Sequence, residues 1–205
     1  MSVGRLSTGA GLSAGALVVP VSPASVSVGS GSATVSGNGQ ISFSGASSVS
    51  INNCFSSTYD NYRIIINPTA AVGTDATLSF RYRASGSDIS TTTYTGQRIV
   101  YFGTTIVAST NVTGNTLHSL SLISTSRANQ YYANIEVHGP FLPRKKNFRV
   151  DINTVGEAGT FYSETHGGWN DTTTSVDGFS IFTSGTSITG IIRVYGYANG
   201  GLNDN

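Results

Sequence analysis

Apolar and polar residues alternate in short blocks through most of the chain, as in strands that have one buried face. In the stretch TLSFRYRAS, the apolar residues Leu78, Phe80 and Tyr82 fall on one side. In the last block, IIRVYGYA, Ile192 and Val194 fall on one side. We therefore predict that Leu78, Phe80 and Tyr82 face the core of a β-sheet protein.

The same pattern predicts a series of strands and no helix. Apolar residues do not recur at spacings of three and four, and Gly interrupts each stretch that approaches such a pattern. After Pro68 the predicted strands are Ala76–Arg83, Gln97–Phe102, Thr105–Ala108, Ser119–Ile123, Tyr131–His138, Asn147–Ile152, Thr160–Glu164, Asp177–Phe182 and Ile188–Tyr197. Many short strands with turn residues between them predict an all-β fold, a jelly-roll-like antiparallel β-sandwich.

Two earlier stretches carry local signals. Asn38 followed by Gly39 predicts a hairpin between strands Ala33–Ser36 and Gln40–Ser44. In SINNCFSSTYDNY, we expect Ile51 and Phe55 to point inward. Thr58, Tyr59, Asp60 and Asn61 then form a turn that leads into a strand at Arg63–Ile66.

Residues 1–40 differ in composition, being rich in Gly, Ser and Ala with few large apolar side chains. We predict an extended N-terminal arm there, a sandwich domain over 41–200 and a flexible tail over 201–205. One interpretation of the arm is a flexible linker. The favoured one is a strand that adds to a sheet edge of another subunit. The assembly residues of the arm would be Val18, Val19, Val21, Val26 and Val28.

Charged residues make up only 10% of the chain against a typical ~25%, and the formal net charge is +1. A neutral surface of hydroxyls and amides does not favour nucleic acid, which we exclude as a partner. No apolar stretch approaches the ~18 residues of a membrane span, so we expect no membrane insertion. Cys54 is the only cysteine, and we expect a small buried hydrophobe beside Phe55.

Two surface features are candidate ligand sites. The loop PRKK carries Arg144, Lys145 and Lys146, which would contact phosphate groups of a surface polymer or an acidic partner; the alternative is a solvated loop tip. The stretch HGGWNDTTTS predicts a mobile turn. It would present Trp169 as a platform for a sugar ring, with Asn170 and Asp171 as hydrogen-bond partners. The alternative is that Trp169 packs under the loop or against a neighbouring chain.

Catalytic motifs do not occur: there is no GxSxG, no HExxH, no phosphate-binding loop and no Cys pair. Glu136 and His138 share a strand face without a third metal ligand at suitable spacing. A carboxylate pair for glycoside hydrolysis would depend on distances that a sequence does not give. We therefore predict a protein that is not an enzyme and has no cofactor and no metal.

Three stretches resemble a module of virion proteins of tailed bacteriophages. They are SINNCFSSTYDNY (Ser50–Tyr62), FRYRASGSD (Phe80–Asp88) with the following Tyr94 and Gln97, and ITGIIRVYGY (Ile188–Tyr197), within a resemblance that covers roughly residues 48–198. The resemblance implies a β-sandwich of a tail fibre, minor tail or virion-associated protein.

From these features we expect a structural virion protein, made in the host cytoplasm, of the tail fibre or tail-tip type and acting in host-surface recognition. Its partners would be itself, as a homotrimer in which Tyr195 and Tyr197 line the threefold axis, other virion proteins through the arm, and host cell-surface polysaccharide. The alternative is a capsid decoration or head fibre protein that cements or adorns the shell. A secreted carbohydrate-binding module is a third hypothesis.

Overall fold

The computed structural model describes residues 18–73, 75–124, 128–156 and 159–197, with the backbone alone for 110–113 and 129. Within these ranges it consists of two antiparallel β-sheets with a shared apolar core, and it contains no α-helix. A short 3-10 turn lies at Ala128–Gln130. The prediction of an all-β sandwich is confirmed.

The strands of the described ranges are short at the N-terminus and long in the second half of the chain. They are β1 (Val19–Val21), β2 (Ser25–Val28), β3 (Ser32–Val35), β4 (Ile41–Ala46), β5 (Ser48–Asn52), β6 (Asn61–Gly73), β7 (Ala76–Ala84), β8 (Ser87–Asp88), β9 (Tyr94–Phe102), β10 (Thr105–Asn115), β11 (His118–Ile123), β12 (Tyr132–His138), β13 (Lys146–Val155), β14 (Phe161–Asn170), β15 (Gly178–Phe182) and β16 (Thr186–Tyr197).

One sheet, which we name sheet A, has the order β10-β9-β14-β13-β12-β6-β16-β4-β3, and β1 also pairs with β16. The other, sheet B, has the order β11-β7-β15-β5-β2, with β8 paired to β7. Among the described strands, ten lie in sheet A and six in sheet B. The two sheets therefore differ in width.

The core lies between the sheets and follows the predicted alternation. In β6, Tyr62, Ile64 and Ile66 are fully buried, whereas Arg63 between them is exposed. Aromatic rings from sheet B stack on one another, as Phe80 and Phe179 do at 5.6 Å between ring centroids. The inward positions predicted for Leu78, Phe80 and Tyr82 are buried, and so are Ile192 and Val194, which share one side of β16.

The described part of the predicted arm belongs to the sandwich of its own chain. β1 pairs with β16 of sheet A, β2 pairs with β5 of sheet B, and the chain crosses between the sheets at buried Pro23. Strand addition at 18–28 is therefore intramolecular in this structure, which differs from the predicted docking on another subunit. Residues 1–17 lie outside the described ranges.

The local predictions near residues 33–62 agree with the structure. β3 and β4 pair as a hairpin around Gly39, whose positive φ of 79° suits glycine. Ile51 and Phe55 are buried, and Cys54 is buried beside them, so burial raises the pKa of its thiol. The turn lies at residues 57–58, slightly before the predicted position.

The outer face of sheet B carries the two arginines of β7. Arg83 is nearly buried, forms an ion pair with Asp88, and donates to Asn52 Oδ1 at 2.9 Å and Ser180 Oγ at 3.0 Å. Arg81 pairs with Asp88 Oδ2 at 3.4 Å. Both arginines thus pair with Asp88, and they hold the short strand β8 against the sheet.

Sheet A extends at its β9–β10 side into a surface rich in apolar side chains. On this apolar end both faces of the sheet are exposed: Ile106 is 66% exposed, and its neighbours Tyr101, Phe102, Val107 and Phe161 are between 40% and 54% exposed. The extra width of sheet A explains this exposure, because the narrower sheet B does not cover the last strands.

Candidate functional site

Trp169 lies near the end of strand β14, not in a mobile turn. β14 is paired on both sides, with Trp169 opposite Asn147 of β13 and Thr95 of β9. The turn prediction from His166–Ser175 is wrong over its first half because the two glycines before Trp169 are held in this ladder. The indole is 42% exposed on the outer face of sheet A.

Asp171 and Lys145 lie beside Trp169, and we name these three residues the outer-face site. The Asp171 carboxylate accepts from Lys145 Nζ at 2.6 Å and from Thr93 Oγ1 at 2.6 Å. Hydrogen bonds from Lys145, Thr93 and the Trp169 indole lower the pKa of the Asp171 carboxyl. Asp171 thus lies next to a cation, a hydroxyl and the Trp169 side chain, so that polar groups and an aromatic ring adjoin at this surface.

Asn170 and Lys146 do not belong to this surface. Asn170 is fully buried, and its Oδ1 accepts from Thr92 Oγ1 and from the Thr172 backbone N–H, each at 3.0 Å. It alternates with Trp169 on the strand and therefore points inward. The prediction that Asn170 binds a sugar beside Trp169 is not supported by its position.

Lys146 begins β13 on the buried face, so the prediction that it projects from a loop tip is wrong. Its ammonium donates to the backbone carbonyls of Leu142 and Arg144, and burial lowers its pKa to about 8. Lys146 closes its own loop, whereas Arg144 and Lys145 are exposed there. Only these two cations of the PRKK loop are presented to solvent.

An open groove lies on the same face of sheet A, about two residue rows from Trp169. It has a volume of about 680 Å³ and is lined by residues of β9, β10 and β14, among them Gln97, Ile99, Ala108, Thr165 and Gly167. A side chain at Gly167 would meet no atom within 4 Å. Glycine at this position therefore keeps the sheet surface low between Trp169 and the groove.

The predicted assembly residues are divided between the core and the surface. Val21, Val26 and Val28 pack against the core of their own chain. Val19 is half-buried and Val18 is exposed. Tyr195 and Tyr197 are half-buried on the outer face of sheet A, where the Tyr197 hydroxyl donates to Glu136.

A buried polar cluster lies between the sheets, which the sequence did not reveal. It joins His118 and Ser121 of β11 to Glu164 and His166 of β14. His118 and Ser121 are three residues apart and would normally face opposite sides of a strand. A bulge between Ser119 and Ser121 places both side chains inward.

Hydrogen bonds connect the cluster in one chain. His118 Nε2 lies 3.2 Å from His166 Nδ1, and His166 Nε2 lies 3.0 Å from Glu164 Oε2. Ser121 Oγ donates to Glu164 Oε1, and Arg98 Nη1 lies 3.3 Å from Glu164 Oε2. The carboxylate of Glu164, only 4% exposed, thus has a cation and two further hydrogen-bond partners.

These contacts decide the charge state of the cluster. Burial, followed by the nearby His166 and Arg98, lowers the pKa of His118 to about 3, so this ring is neutral at pH 7. For Glu164, burial opposes ionisation, but the hydrogen bonds from His166 and Ser121 and the charge of Arg98 outweigh it and lower the pKa. Glu164 is therefore an ionised carboxylate paired with Arg98.

The cluster borders a cavity between the sheets, which we name the inter-sheet pocket. It has a volume of about 430 Å³ and opens along β11, the edge strand of sheet B. The residues that line it include Arg98, Val100, Ser121, Leu122, Tyr162 and Glu164. This volume lies within the roughly 300–1,000 Å³ range of small-molecule sites.

The metal-binding and membrane-spanning features of the described residues are limited. In the described ranges, no three His, Cys, Asp or Glu residues are arranged to hold a metal ion. Glu136 and His138 lie on the outer face with other partners, Arg63 and Asn61. Across the same ranges, no helix is long and apolar enough to cross a membrane.

Comparisons with known proteins do not identify a family. No family model and no curated protein matches the chain. A chain in the structure of infectious bursal disease virus Gt strain aligns with 13% identity and a TM-score of 0.14, over 88% of this chain and 41% of the viral chain. At this TM-score the alignment carries no argument about fold or function, and the chain spans less than half of the viral one.

Proposed function

We propose that the chain is a structural protein of a tailed-bacteriophage particle, of the tail fibre or tail-tip type, which displays its sandwich for recognition of the host surface. The virion setting is supported by the resemblance of Ser50–Tyr62, Phe80–Asp88 and Ile188–Tyr197 to modules of such virions. A neutral surface with few charges fits a protein that is present in many copies and must avoid nonspecific partners.

The observation that carries the recognition role is the outer-face site. Trp169 presents about two fifths of its surface on a strand that is paired on both sides, and Asp171 lies beside it. Lys145 and Asp171 supply hydrogen-bond donors and acceptors next to the ring. An aromatic face beside paired polar groups suits the apolar face and the hydroxyls of a surface polysaccharide. Weak contacts suffice when many copies act together.

Adsorption competition tests this role. Purified protein is added to cells of the bacterium that the phage infects, and adsorption of intact phage is counted. We expect the wild-type protein to bind cells and reduce adsorption, and Trp169→Ala to lose both effects. Tyr132→Ala is the matched control, because Tyr132 is an exposed aromatic residue of β12 that lies outside both the outer-face site and the apolar end of sheet A. Equal competition by wild type and Trp169→Ala would contradict the role of this site.

A capsid decoration or head fibre protein is the second candidate, and the apolar end of sheet A favours it. Exposed Ile106, Tyr101 and Phe161 form a surface suited to a protein partner. Such a protein would bind emptied heads and leave adsorption unchanged. Locating the density of the chain in the intact particle by electron cryomicroscopy separates the two candidates directly.

A further inference from the structure

We propose that the inter-sheet pocket binds a neutral, hydroxyl-rich small molecule, of which a single pyranose sugar is the simplest example. The pocket lies between the sheets, whereas Trp169 lies on the outer face of sheet A. The proposal therefore does not depend on the outer-face site, and each of the two can fail alone.

The first argument is that the pocket holds Glu164, a carboxylate that is only 4% exposed, between two sheets whose facing side chains are largely apolar. A buried carboxylate is costly unless it is paired and hydrogen-bonded, and apolar residues of similar volume usually serve stability as well or better. Glu164 nevertheless sits in the sandwich interior with Arg98, His166 and Ser121 around it. A bulge in β11 brings Ser121 there. Departures of this kind from core patterning are expected at functional sites.

The second argument concerns charge. Of the residues that line the pocket, Arg98 and Glu164 are the ones that carry charge at pH 7, and they form an ion pair. The adjoining His118 is neutral because burial lowers its pKa. The charges of the two lining residues therefore balance each other, and the lining favours a neutral ligand over an anion or a cation.

The third argument is the hydrogen-bonding capacity that remains. Arg98 has five N–H donors, and its contacts to Glu164 and Ser109 use only part of them. A carboxylate has about four acceptor positions, of which three are taken in Glu164. A donor next to an acceptor matches hydroxyl groups, since each hydroxyl both donates and accepts.

The walls of the pocket add an apolar contribution. Val100 of β9 and Leu122 of β11 lie on either side, and the ring of Tyr162 lies over Gly156. A side chain added at Gly156 would come within 2.9 Å of that ring. The lining thus offers apolar surfaces as well as polar groups, as a pyranose ring requires with its C–H face and its hydroxyls.

The test is a titration of the full chain, followed by protein NMR and calorimetry. The probes are methyl glucopyranoside, methyl galactopyranoside and N-acetylglucosamine, with glucuronate and glucosamine as charged counterparts. We expect saturable binding of at least one neutral pyranoside, with shift changes at Val100, Leu122 and Tyr162 and weaker binding of both charged sugars.

Three variants test whether binding occurs in the inter-sheet pocket. Val100→Trp fills the pocket from sheet A and should abolish binding, whereas Tyr101→Trp, the next residue on the opposite face, should bind as the wild type does. Glu164→Gln should weaken binding by roughly ten- to hundred-fold, as expected for the loss of a charged hydrogen bond. Its melting temperature is measured alongside, and Val100→Trp decides the case if Glu164→Gln does not fold.

Three results would overturn the proposal: no saturation by any neutral pyranoside, unchanged binding by Val100→Trp, or tighter binding of glucuronate or glucosamine than of the neutral sugars. Adsorption competition by Val100→Trp separates this site from the proposed host recognition. We expect Val100→Trp to compete like the wild type, because the outer-face site is intact in it.

Discussion

Gly167 and Gly168 are adjacent in β14 but have opposite surroundings. A side chain at Gly168 would lie 2.5 Å from the Thr95 carbonyl oxygen and 2.9 Å from the Phe148 ring, whereas one at Gly167 would meet nothing within 4 Å. We predict that Gly168→Ala lowers the free energy of unfolding by about 2 kcal/mol, as overpacking does. Gly167→Ala should change it little, and it serves as the matched control in urea unfolding. Equal effects of the two substitutions would contradict the assigned faces of β14.

His118 makes the stability of the protein depend on pH. An unfolded imidazole takes up a proton near pH 6.5, while the pKa of folded His118 is about 3. Between these values the unfolded state binds more protons, so stability is lost as the pH falls, by up to about 1.4 kcal/mol for each pH unit. The lowered pKa of Glu164 acts in the same direction below its ordinary value of 4.5.

Unfolding measured between pH 4 and 8 checks this effect, with His118→Gln as the comparison. Glutamine keeps a hydrogen-bonding group near His166 but does not titrate. We expect the stability of this variant to decline less on acidification than that of the wild type. The same pH slope in both proteins would show that His118 is not the source of the acid sensitivity.

For single residues, the sequence predicts burial well where apolar and polar residues alternate regularly along a strand. The inward positions of Leu78, Phe80 and Tyr82 follow from period two alone. The position of the polar cluster does not follow from this period, because the bulge in β11 changes the face of Ser121 relative to His118. In TLHSLSLIS no glycine or proline marks that bulge, so the sequence gives no local signal for it.

At the scale of elements, the N-terminal strands show how composition can mislead. Residues 18–40 are poor in large apolar residues, which predicts an independent arm. In the structure three valines of β1 and β2 nonetheless cover the core, and both sheets gain a strand. The alternation of Val26 and Val28 with Ser25 and Ser27 was the available signal, and it fits strand addition. The sequence does not show which sheet edge this strand joins. A strand makes the same backbone hydrogen bonds with an edge of its own chain as with an edge of a neighbouring subunit.

We predict that the Val26→Ser, Val28→Ser double substitution lowers the free energy of unfolding by about 2 kcal/mol, roughly 1 kcal/mol for each half-buried valine. The control is Ser25→Ala with Ser27→Ala, because those side chains are exposed on the same strand. The loss should not depend on protein concentration, since β2 pairs with β5 of its own chain. A loss that diminishes at high concentration would instead indicate docking between subunits.

Glycine-rich stretches misled the prediction in a second element. His166–Ser175 contains two glycines and polar residues typical of a turn. Tertiary packing overrides that tendency because β14 lies between β13 and β9 and all three strands are long. Gly168 has a packing role, as the Phe148 ring occupies the space of a side chain. In this strand Trp169 lies opposite Asn147 and Thr95, and its side chain is held on the outer face of sheet A.

For the whole molecule, the unequal width of the sheets is the feature with the largest consequence. Ten described strands in sheet A and six in sheet B leave the β9–β10 side uncovered. Exposed Tyr101, Phe102, Ile106, Val107 and Phe161 form a contiguous end in which β9 pairs with both β10 and β14. Apolar surface of this kind on a soluble domain marks an interaction site, and β10 also presents the free edge of a long strand. The occupant that requires no further protein is a second copy of the chain, in a contact that differs from the threefold axis of Tyr195 and Tyr197 expected from the sequence.

We therefore predict that the protein self-associates through the apolar end of sheet A. Substituting Tyr101→Lys and Ile106→Lys places charges on paired neighbours of β9 and β10, because these two residues lie opposite each other. In light scattering coupled to size exclusion, the wild type should elute as an oligomer and the double variant as a monomer. Val72→Lys is the control, since Val72 is 71% exposed on β6, outside the apolar end. If the wild type stays monomeric at all concentrations, self-association is ruled out and the apolar end would instead bind a different virion protein. An oligomer that survives both lysines would place the subunit contact elsewhere, with the outer-face tyrosines Tyr195 and Tyr197 as the next positions to substitute.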